Sequence, residues 1–329
     1  MAEIQPSVTA IAICFNHARF VVECLDSIRA QTHPRVQLII VDDCSSDGSG
    51  SIIRQWLQAT GTQATLIAHD QNRGICRSRN EALAVATGDY IACISTDDAW
   101  LPDKLAIQVA KFEELAPKVG VVYSDAYRVD EQGQPLPALF LSMCGIVDSP
   151  PEGNVYEELL EHNFVPSLAS LVRRSCFDVV GGYDESLAFE DWDMWLRISQ
   201  RFSFAYSPVL TARYRVVASS LWHELQGSRR AEFEESLLRI RLKHLGHTAE
   251  WDRRLISQLT SGAEKLYELD HPRCRHYLRD VTRIDRRRRT LALCVLAHLR
   301  LPYRRASRLV ELISRRRRDA AASGTTTSS

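Results

Sequence analysis

Three pairs of acidic residues stand where carboxylates usually serve chemistry, each just after an apolar run or a glycine turn. They are Asp42-Asp43, Asp97-Asp98 and Glu190-Asp191. The first pair follows directly on the apolar run 36–41, and the second follows the run 90–94 after two residues. Mg²⁺ and Mn²⁺ take oxygen ligands and are typically held by one or two carboxylates together with the phosphates of a substrate. The acidic pairs therefore predict a divalent metal (Mg or Mn) and a diphosphate ligand.

Strand and helix patterns alternate through the first half of the chain and would position these acids. Apolar runs predict parallel strands at residues 8–15, 36–41, 65–69, 90–94 and 119–123. Helical spacing predicts helices at residues 20–31, 49–60, 74–87 and 102–116. This rhythm is typical of an α/β sheet flanked by helices, in which ligands bind at the carboxyl ends of the strands. The four aspartates would therefore face one shared cleft.

The composition favours one large domain with an appendage. A chain of 329 residues with 45% hydrophobic and 25% charged residues can bury a full core. Nine cysteines without any Cys-x-x-Cys spacing favour buried free thiols in a reducing, cytoplasmic compartment. The N-terminus shows no secretory signal pattern, and the longest later apolar stretch, 291–299, is shorter than the roughly 20 residues that span a bilayer.

Five stretches of the sequence resemble family 2 glycosyltransferases of the GT-A fold. They are Cys14-Phe15-Asn16, Val41-Asp42-Asp43-Cys44-Ser45-Ser46-Asp47-Gly48, Arg77-Ser78-Arg79-Asn80-Glu81-Ala82, Gly88-Asp89-Tyr90-Ile91 through Asp97-Asp98, and Gly181-Gly182-Tyr183-Asp184-Glu185 through Glu190-Asp191-Trp192-Asp193. The resemblance covers roughly residues 6–222 and is specific because the five motifs occur in family order. It implies a GT-A fold with a Rossmann-like nucleotide-binding sheet. It also implies an inverting enzyme that transfers a sugar from a nucleotide-diphospho-sugar to an acceptor hydroxyl.

The resemblance also implies a domain plan. Residues 1–222 would form the glycosyltransferase domain, with a nucleotide-binding part at about 6–124 and an acceptor part at about 125–222. Residues 223–319 would form a helical, arginine-rich C-terminal extension. Residues 320–329 are small and polar, and they predict a disordered tail.

Roles for individual residues follow from the same resemblance. Asp43 would bind the base and ribose of the donor. The full set of residues expected around the nucleotide sugar is Phe15, Asn16, Asp43, Arg79 and Asp97. Asp97 and Asp98 stand where the family has its Asp-x-Asp-like metal motif, so that a bound metal would assist departure of the nucleoside diphosphate. Asp191 matches the catalytic base, which contributes typically ~10²–10⁴-fold, and Glu190 could orient it.

Three positions depart from the family pattern. The first strand ends Ile13-Cys14-Phe15, without the hydroxyl groups that often face the nucleotide, so that only Phe15 can stack on the base. Ser95 stands where many relatives carry a further Asp. Val216-Val217 follow Tyr214-Arg215 where many relatives place a histidine, so metal ligation from that loop is not expected.

The same residues also have structural interpretations. Asp43 could belong to the turn and N-cap of the helix at 49–60, and Asp97-Asp98 could introduce the helix that begins near residue 102. Arg79 could be solvated or could meet a phosphate bidentately. No function is predicted for the histidines that lack a partner at metal-ligand spacing, which are His17, His69 and His162.

The end of the chain is strongly basic. Residues 271–329 hold sixteen arginines and four acidic residues, a net charge of +12, and because the whole chain is neutral the remainder carries −12. Helical periodicity at 229–245 and 249–268 precedes two basic amphipathic segments that suit an anionic membrane surface. The same periodicity fits a solvated helical hairpin or a dimer contact equally well. Nucleic-acid binding is disfavoured, since only Tyr303 lies among the arginines for stacking.

We therefore expect an enzyme that builds a cell-surface polysaccharide or lipopolysaccharide on a saccharide or lipid-linked acceptor. Its location would be cytoplasmic, peripheral at the inner face of the membrane. The competing hypothesis is a catalytically silent nucleotide-sugar-binding scaffold whose basic tail holds membrane or nucleic acid. The acids Asp43, Asp97, Asp98 and Asp191 together disfavour it, because a protein without catalysis has no need for uncompensated acids around one cleft. The sugar, the acceptor and the oligomeric state do not follow from the sequence.

Overall fold

An eight-stranded sheet runs through the first part of the chain in the computed structural model, which describes residues 5–218, 220–246 and 249–312. Its strands are β1 Val8–Cys14, β2 Val36–Asp42, β3 Ala64–Ala68, β4 Tyr90–Ser95, β5 Ala99–Trp100, β6 Val119–Val129, β7 Ser170–Arg173 and β8 Ser203–Arg215. They lie side by side in the order β3-β2-β1-β4-β7-β6-β8-β5. β1 is parallel to β2 and β4, β2 is parallel to β3, and β7 runs antiparallel to both of its neighbours.

Eight helices of the described residues surround this sheet. They are α1 Val21–Arg29, α2 Ser49–Thr60, α3 Ile75–Ala84, α4 Lys104–Glu113, α5 Phe140–Met143, α6 Tyr156–Glu161, α7 Arg174–Val180 and α8 Asp191–Ser199. α1 shows why the sequence folds this way, because its apolar residues recur at helical spacing and most of them lie on one buried face. A short 3₁₀ turn, Ser167–Ala169, leads into β7.

The core lies on both faces of β1. Alternate side chains of a strand point to opposite sides of its sheet. Ala10 and Ala12 pack into a large apolar cluster on one face, whereas Ile11 and Ile13 belong to a separate cluster on the other. Every residue of β1 is buried, as expected for a parallel strand covered by helices on both sides.

The strand register aligns the ends that carry the predicted site. Cys14, the last residue of β1, is paired with Asp42 of β2, and Ile13 is paired with Ser95 of β4. The segments that follow these three strands therefore leave the sheet at one edge. This confirms the α/β fold class and the expected position of the acidic residues at the carboxyl ends of the strands.

Some element boundaries differ from those predicted. Helix 49–60 has its predicted bounds, but the helix predicted from residue 102 begins at Lys104. The strand predicted at 119–123 continues to Val129 because it stays paired with β8 beyond the predicted end. The irregular connection that follows contains the one-turn helix α5.

Chain contacts divide the protein into two compact units, Met1–His223 and Glu224–Ser329. The helices that follow β8 are α9 Leu221–Gln226, α10 Arg230–Lys243, α11 Ala249–Glu268, α12 Cys274–Ile284 and α13 Arg288–His298, and residues 303–312 are also helical. The second unit has its own apolar core, centred on Leu238, Leu259, Leu278 and Leu293. No helix in the described part of the chain has the length and hydropathy needed to cross a bilayer. The tail predicted at 320–329 lies outside the described residues.

Candidate active site

The acidic pair Asp97-Asp98 lies in the tight connection between β4 and β5, where both residues are buried. Oδ1 of Asp98 accepts the backbone N–H of Arg215 at 2.8 Å. Burial, and then the neighbouring charge of Asp97, raise the pKa of Asp98 well above its usual range. Oδ1 of Asp97 is buried and has no hydrogen-bond partner in the described structure. Two crowded carboxylates with an unsatisfied buried oxygen form an environment that a cation would stabilise.

The residues around this pair fit a metal that draws most of its ligands from a substrate. Nε2 of His17 lies 3.8 Å from Oδ2 of Asp97, and its Nδ1 lies 3.0 Å from Oγ1 of Thr96. Among the described residues, no group of three or more His, Cys, Asp or Glu side chains is arranged to hold a metal ion by itself. Mg²⁺ and Mn²⁺ sites with phosphate ligands need only one or two carboxylates. The donor set of Asp97 and Asp98 therefore fits such an ion.

Arg215, the last residue of β8, fixes the acidic connection in place. Its Nε donates to the backbone carbonyl of Asp97 at 2.8 Å, and its Nη2 lies 2.6 Å from Oε2 of Glu23 on α1. Nη1 donates to the carbonyl of Asp130 at 3.2 Å. The guanidinium also lies over the ring of Phe20, 4.9 Å from its centroid. One buried arginine thus holds the loop of the acidic pair, helix α1 and the turn after β6 together.

Asp43, which follows β2, is nearly saturated with hydrogen bonds. Its Oδ1 accepts the N–H of Arg73 at 2.7 Å, and its Oδ2 accepts the N–H of Gly74 at 2.9 Å. Nδ1 of His69 lies 2.7 Å from the same Oδ1, and Nε2 of His69 lies 2.8 Å from Oε2 of Glu81. An imidazole between two carboxylates donates from both nitrogens when it is protonated. Asp43 is therefore held at the sheet edge by a buried histidine and two backbone amides.

Glu81 completes this network from α3. The hydrogen bond from His69 and then that from Arg77 lower the pKa of Glu81 to about 2. Nη1 of Arg73 also donates to Oε1 of Glu81, at 3.1 Å. The carboxylate stays ionised over the whole physiological range and keeps His69 in place.

Phe15 and Asn16 follow β1 and differ in their availability. Phe15 is 39% exposed, so its ring is open to a stacking ligand. Asn16 has a positive φ of 58°, and its Oδ1 accepts the N–H of Ser46 at 2.8 Å. The Asn16 side chain therefore ties the segment after β1 to the segment after β2, while its role in donor binding stays a prediction.

Arg79 is neither solvated nor open to the cleft. It is buried, with Nη2 2.8 Å from Oε1 of Glu190 and Nη1 3.0 Å from Oγ of Ser167. Its guanidinium also lies over the ring of Tyr183, 5.4 Å from the centroid. The structure therefore gives Arg79 a partner that neither sequence interpretation supplied, the carboxylate next to Asp191. Direct contact with a phosphate stays a prediction.

Asp191 is the first residue of α8, and its pKa is raised from the usual range of an aspartate. Its Oδ2 accepts a hydrogen bond from Nδ2 of Asn163 at 2.9 Å. Burial, and then the charge of Glu190, raise the pKa of Asp191 to about 7, against the opposing effects of Arg79 and Asn163. A general base works best when its pKa lies near the working pH.

Tyr214 is subject to the charges of both the acidic pair and Asp191. Burial is the main cause that raises the pKa of this phenol far above its usual range, followed by the charges of Asp98 and Asp97, with Asp191 also contributing. Tyr214 thus lies among three of the predicted functional carboxylates. Asp43 and Phe15 stand farther along the same sheet edge, after β2 and β1.

Sequence reasoning missed three residues of this arrangement. They are His69, Asn163 and Arg215. His69 is the only one with a local signal, since it follows β3 at the same sheet edge as Asp43. Trp192, Trp195 and Leu196 of α8 are buried in the core of the first unit.

Comparison with known proteins identifies the family. The sequence profile of Glycosyl transferase family 2 matches residues 9–178. The chain is 26% identical over 222 residues to the putative teichuronic acid biosynthesis glycosyltransferase TuaG of Bacillus subtilis (strain 168), covering 67% of this chain and 83% of that protein. It is 27% identical over 215 residues to WfaP of Escherichia coli, a UDP-Glc:alpha-D-GlcNAc-diphosphoundecaprenol beta-1,3-glucosyltransferase, covering 65% and 79% of the two chains.

Solved structures share the fold. The crystal structure of S. aureus TarS residues 1–349 with UDP-GlcNAc superimposes with a TM-score of 0.63 at 18% identity, covering 94% of this chain and 92% of that one. The mannosyltransferase PcManGT from Pyrobaculum calidifontis, in complex with GDP-Man and Mn²⁺, gives a TM-score of 0.55 at 18% identity, covering 93% and 84%. With the family profile matching more than half of the chain, this protein belongs to glycosyl transferase family 2 and is an inverting glycosyltransferase.

Proposed function

We propose that this enzyme moves a sugar from a nucleotide-diphospho-sugar to a hydroxyl of a saccharide or lipid-linked acceptor during assembly of a cell-surface polysaccharide. The names of TuaG and WfaP point to such pathways. The observation that carries the proposal is the group of carboxylates whose charges act on Tyr214. It combines the pair Asp97-Asp98, in which Oδ1 of Asp97 has no hydrogen-bond partner among the described residues, with Asp191, whose pKa is raised to about 7. Asp97 and Asp98 can hold the departing nucleoside diphosphate through a metal ion, and Asp191 can activate the attacking acceptor hydroxyl.

Asp97 and Asp98 would hold a divalent metal, as the presence of Mn²⁺ in a fold neighbour supports. When bound, the ion neutralises charge on the departing nucleoside diphosphate. Oδ1 of Asp97 is the free oxygen for it, while Arg215 keeps the backbone of the pair fixed. Beside a cation the pKa of Asp98 would fall, which favours its ionised form.

Asp191 would take the proton of the acceptor hydroxyl as that oxygen attacks the anomeric carbon from the face opposite the diphosphate. Asn163 orients the carboxylate by donating to Oδ2. Glu190 does not need to touch the substrate in this scheme. Burial is the main cause that raises the pKa of Asp191 to about 7, and the charge of Glu190, which is paired with Arg79, raises it further.

Asp43 would recognise the nucleobase with the one carboxylate lone pair that makes no hydrogen bond to the protein. An ionised carboxylate offers about four lone pairs, and three of the contacts of Asp43 are already made by His69, Arg73 and Gly74. The remaining lone pair can accept one hydrogen bond from a nucleobase. The donor can be a ring N–H, as in uracil, thymine or guanine, or an exocyclic amino group, as in cytosine. Phe15 supplies the stacking surface.

The second unit would place the enzyme at an anionic membrane. On α13 and the residue after it, Leu291, Val295 and Leu299 recur every four residues and are 43%, 59% and 71% exposed. Exposed arginines flank this stripe at positions 286, 288, 300, 304 and 305. Apolar side chains beside cations suit a lipid surface, with about 1 kcal/mol for each basic residue.

Flotation with vesicles that contain phosphatidylglycerol tests this membrane proposal. The wild-type protein should rise with the vesicles, and the double variant Val295→Asp/Leu299→Asp should stay at the bottom of the gradient. Val179→Asp is the matched control, because this valine of the first unit is also 59% exposed. A wild-type protein that does not float, or a double variant that floats as well as the wild type, would contradict the proposal.

Calorimetric titration tests the central proposal. The purified protein is titrated with UDP, GDP, dTDP and CDP, with and without Mn²⁺, and the titration is repeated on Asp98→Ala. We expect one of these nucleotides to bind in a metal-dependent way and the Asp98 variant to lose that binding. Asp103→Ala is a matched control, because this exposed aspartate lies five residues away and contacts Thr32 at 2.9 Å. Failure of all four nucleotides to bind would contradict the proposal.

A further inference from the structure

Arg128 is an arginine of the first unit whose guanidinium has no hydrogen-bond or ion-pair partner among the described residues. It is the next-to-last residue of β6 and is only partly exposed. Its Nε is buried and makes no hydrogen bond. Across the described residues, no carboxylate, carbonyl or aromatic ring pairs with its guanidinium. A desolvated donor left unsatisfied is costly, so a site of this kind is typical of a position that a ligand completes.

Other arginines of the same unit show what a structural role looks like. Arg79 is paired with Glu190 at 2.8 Å, Arg197 with Asp193 at 2.8 Å and Arg215 with Glu23 at 2.6 Å. Arg73 and Arg79 also have a buried Nε without a partner, but their terminal nitrogens contact carboxylates. Arg128 has no such compensation. Its guanidinium is therefore held in place by the strand and not by a counter-charge of the protein.

The strand register places Arg128 beside the active site. Arg128 is paired with Tyr214 across β6 and β8, one position before the pair Val129–Arg215. Paired residues on neighbouring strands project from the same face of a sheet. Tyr214 is the residue around which Asp97, Asp98 and Asp191 gather, and Arg128 acts on its phenol as well.

Cys144, just after α5, locates Arg128 from a second direction. Burial is the main cause that raises the pKa of this thiol to about 11, the charges of Asp125 and Asp191 raise it further, and Arg128 opposes them. The guanidinium is thus close to groups that also feel the catalytic base.

The balance of charge indicates what Arg128 binds. Two carboxylates and a divalent ion cancel, so the diphosphate of a donor or of a lipid-linked acceptor would bring uncompensated negative charge to the site. A guanidinium presents a planar fork of donors that fits phosphate oxygens bidentately. We infer that Arg128 is a phosphate-binding residue of this active site, which takes either the diphosphate of the sugar donor or the diphosphate of the acceptor. This inference deepens the proposed function and rests on it for the identity of the phosphate's source.

Binding measurements on Arg128→Gln and Arg128→Lys test the inference. Inorganic pyrophosphate with Mn²⁺ probes the site without any nucleotide. The nucleoside diphosphate selected by the panel above, compared with its monophosphate and its nucleoside, probes the donor side. Farnesyl diphosphate, compared with farnesol and added to the nucleotide-loaded protein, probes the acceptor side. Arg201→Gln is the matched control, an exposed arginine beyond the far end of α8 from Asp191.

We expect Arg128→Gln to weaken diphosphate binding about ten- to a hundredfold, with Arg128→Lys between it and the wild type. If the donor is the source, the variant loses affinity for pyrophosphate and for the nucleoside diphosphate but not for the nucleoside. If the acceptor is the source, it loses affinity for farnesyl diphosphate and keeps that for the nucleotide. Equal affinities of wild type and Arg128→Gln for all of these diphosphates would overturn the inference while leaving the proposed function intact. A wild-type protein that binds none of them would overturn both.

Discussion

The guanidinium of Arg79 lies 2.8 Å from the carboxylate of Glu190, the residue immediately before Asp191. Both partners of this ion pair are buried. Arg79 belongs to α3, and Glu190 precedes α8, 111 positions later in the chain. The electrostatic environment of the proposed base therefore depends on a residue that is distant in sequence.

Removal of Arg79 should raise the pKa of Asp191. In Arg79→Met, the charge of Glu190 is no longer compensated, and both it and the lost cation disfavour ionisation of Asp191. The acid limb of the kcat/KM profile should move to higher pH. Breaking the buried pair should also lower the free energy of unfolding by about 3–5 kcal/mol. Urea unfolding and the pH profile measure the two effects.

The double variant Arg79→Met/Glu190→Gln provides the control for that experiment. It removes both charges, so the acid limb should return toward its original pH and much of the stability should be recovered. An acid limb that stays where Arg79→Met puts it would show that the pair does not act on Asp191 through charge.

The wild-type enzyme should gain activity as pH rises through about 7, because Asp191 must be ionised to accept a proton and its pKa is raised to about 7. Asp191→Asn should lower the transfer rate ~10²–10⁴-fold and abolish this limb. Affinity for the nucleotide should not change in the variant. Steady-state rates from about pH 5 to 9, with calorimetry alongside, check both points. Unchanged turnover in Asp191→Asn would remove the residue from the mechanism.

Asn163→Leu should shift the same limb without removing it. The amide of Asn163 donates to Oδ2 of Asp191 and lowers its pKa, so loss of the amide raises the pKa and moves the acid limb to higher pH. The shift should be smaller than that of Arg79→Met, because the charge of Arg79 lowers this pKa more than the hydrogen bond does. If the acid limb of the pH profile stays at its wild-type position, the Asn163 amide does not affect the pKa of Asp191.

His69→Gln should weaken nucleotide binding while changing kcat little, because His69 positions Asp43 rather than touching the reacting atoms. Loss of a hydrogen bond to a charged group corresponds to about a tenfold rise in the dissociation constant. His276→Gln, on an exposed histidine of the second unit, is the control. A fall in kcat with unchanged nucleotide affinity would contradict this role.

Lys104 gives a prediction for stability. It is fully buried, its Nζ donates to Oε1 of Gln108 at 2.8 Å and to the carbonyl of Ser170 at 3.0 Å, and burial lowers its pKa to about 7. The unfolded chain, where this pKa lies near 10.5, therefore binds more protons than the folded one between about pH 7 and 10.5. The contribution of Lys104 to the free energy of unfolding therefore rises with pH across that window and is constant outside it.

Lys104→Met should remove this contribution. The difference in unfolding free energy between wild type and variant should change by about 1.4 kcal/mol for each pH unit within the window. Thermal or urea unfolding at about pH 6, 8 and 10 measures it. A constant difference over this range would show that Lys104 stays charged in the folded protein.

The sequence predicts local elements and strand ends better than the contacts among them. Helix α2 and the strand at 90–94 follow from apolar periodicity, and the rule for strand ends brings Asp43 and Asp97 to one edge before any contact is known. The partner of Asp43 is a histidine 26 positions away, and the partner of Asp191 is an asparagine 28 positions earlier. These contacts depend on where β3 and the segment before the 3₁₀ turn pack in the folded protein. No local sequence pattern predicts those positions.

Arg79 also shows that the sequence predicts the position of a residue better than the partner of its side chain. Its place on α3 was predictable, but whether its guanidinium turns to solvent, to a phosphate or to Glu190 is decided by residues 88 to 111 positions later in the chain. The family resemblance predicts which acids carry the chemistry. It did not identify the side chains that hold them.

The hold of Arg215 on the connection between β4 and β5 has a consequence for engineering. Its side chain and backbone reach Asp98, the carbonyl of Asp97, Glu23 and Asp130, which are separated from it by up to 192 positions in sequence. The connection that carries Asp97 and Asp98 therefore cannot be transferred alone into another protein scaffold with its geometry intact. A transplant would have to carry the end of β8, the start of α1 and the turn after β6 with it.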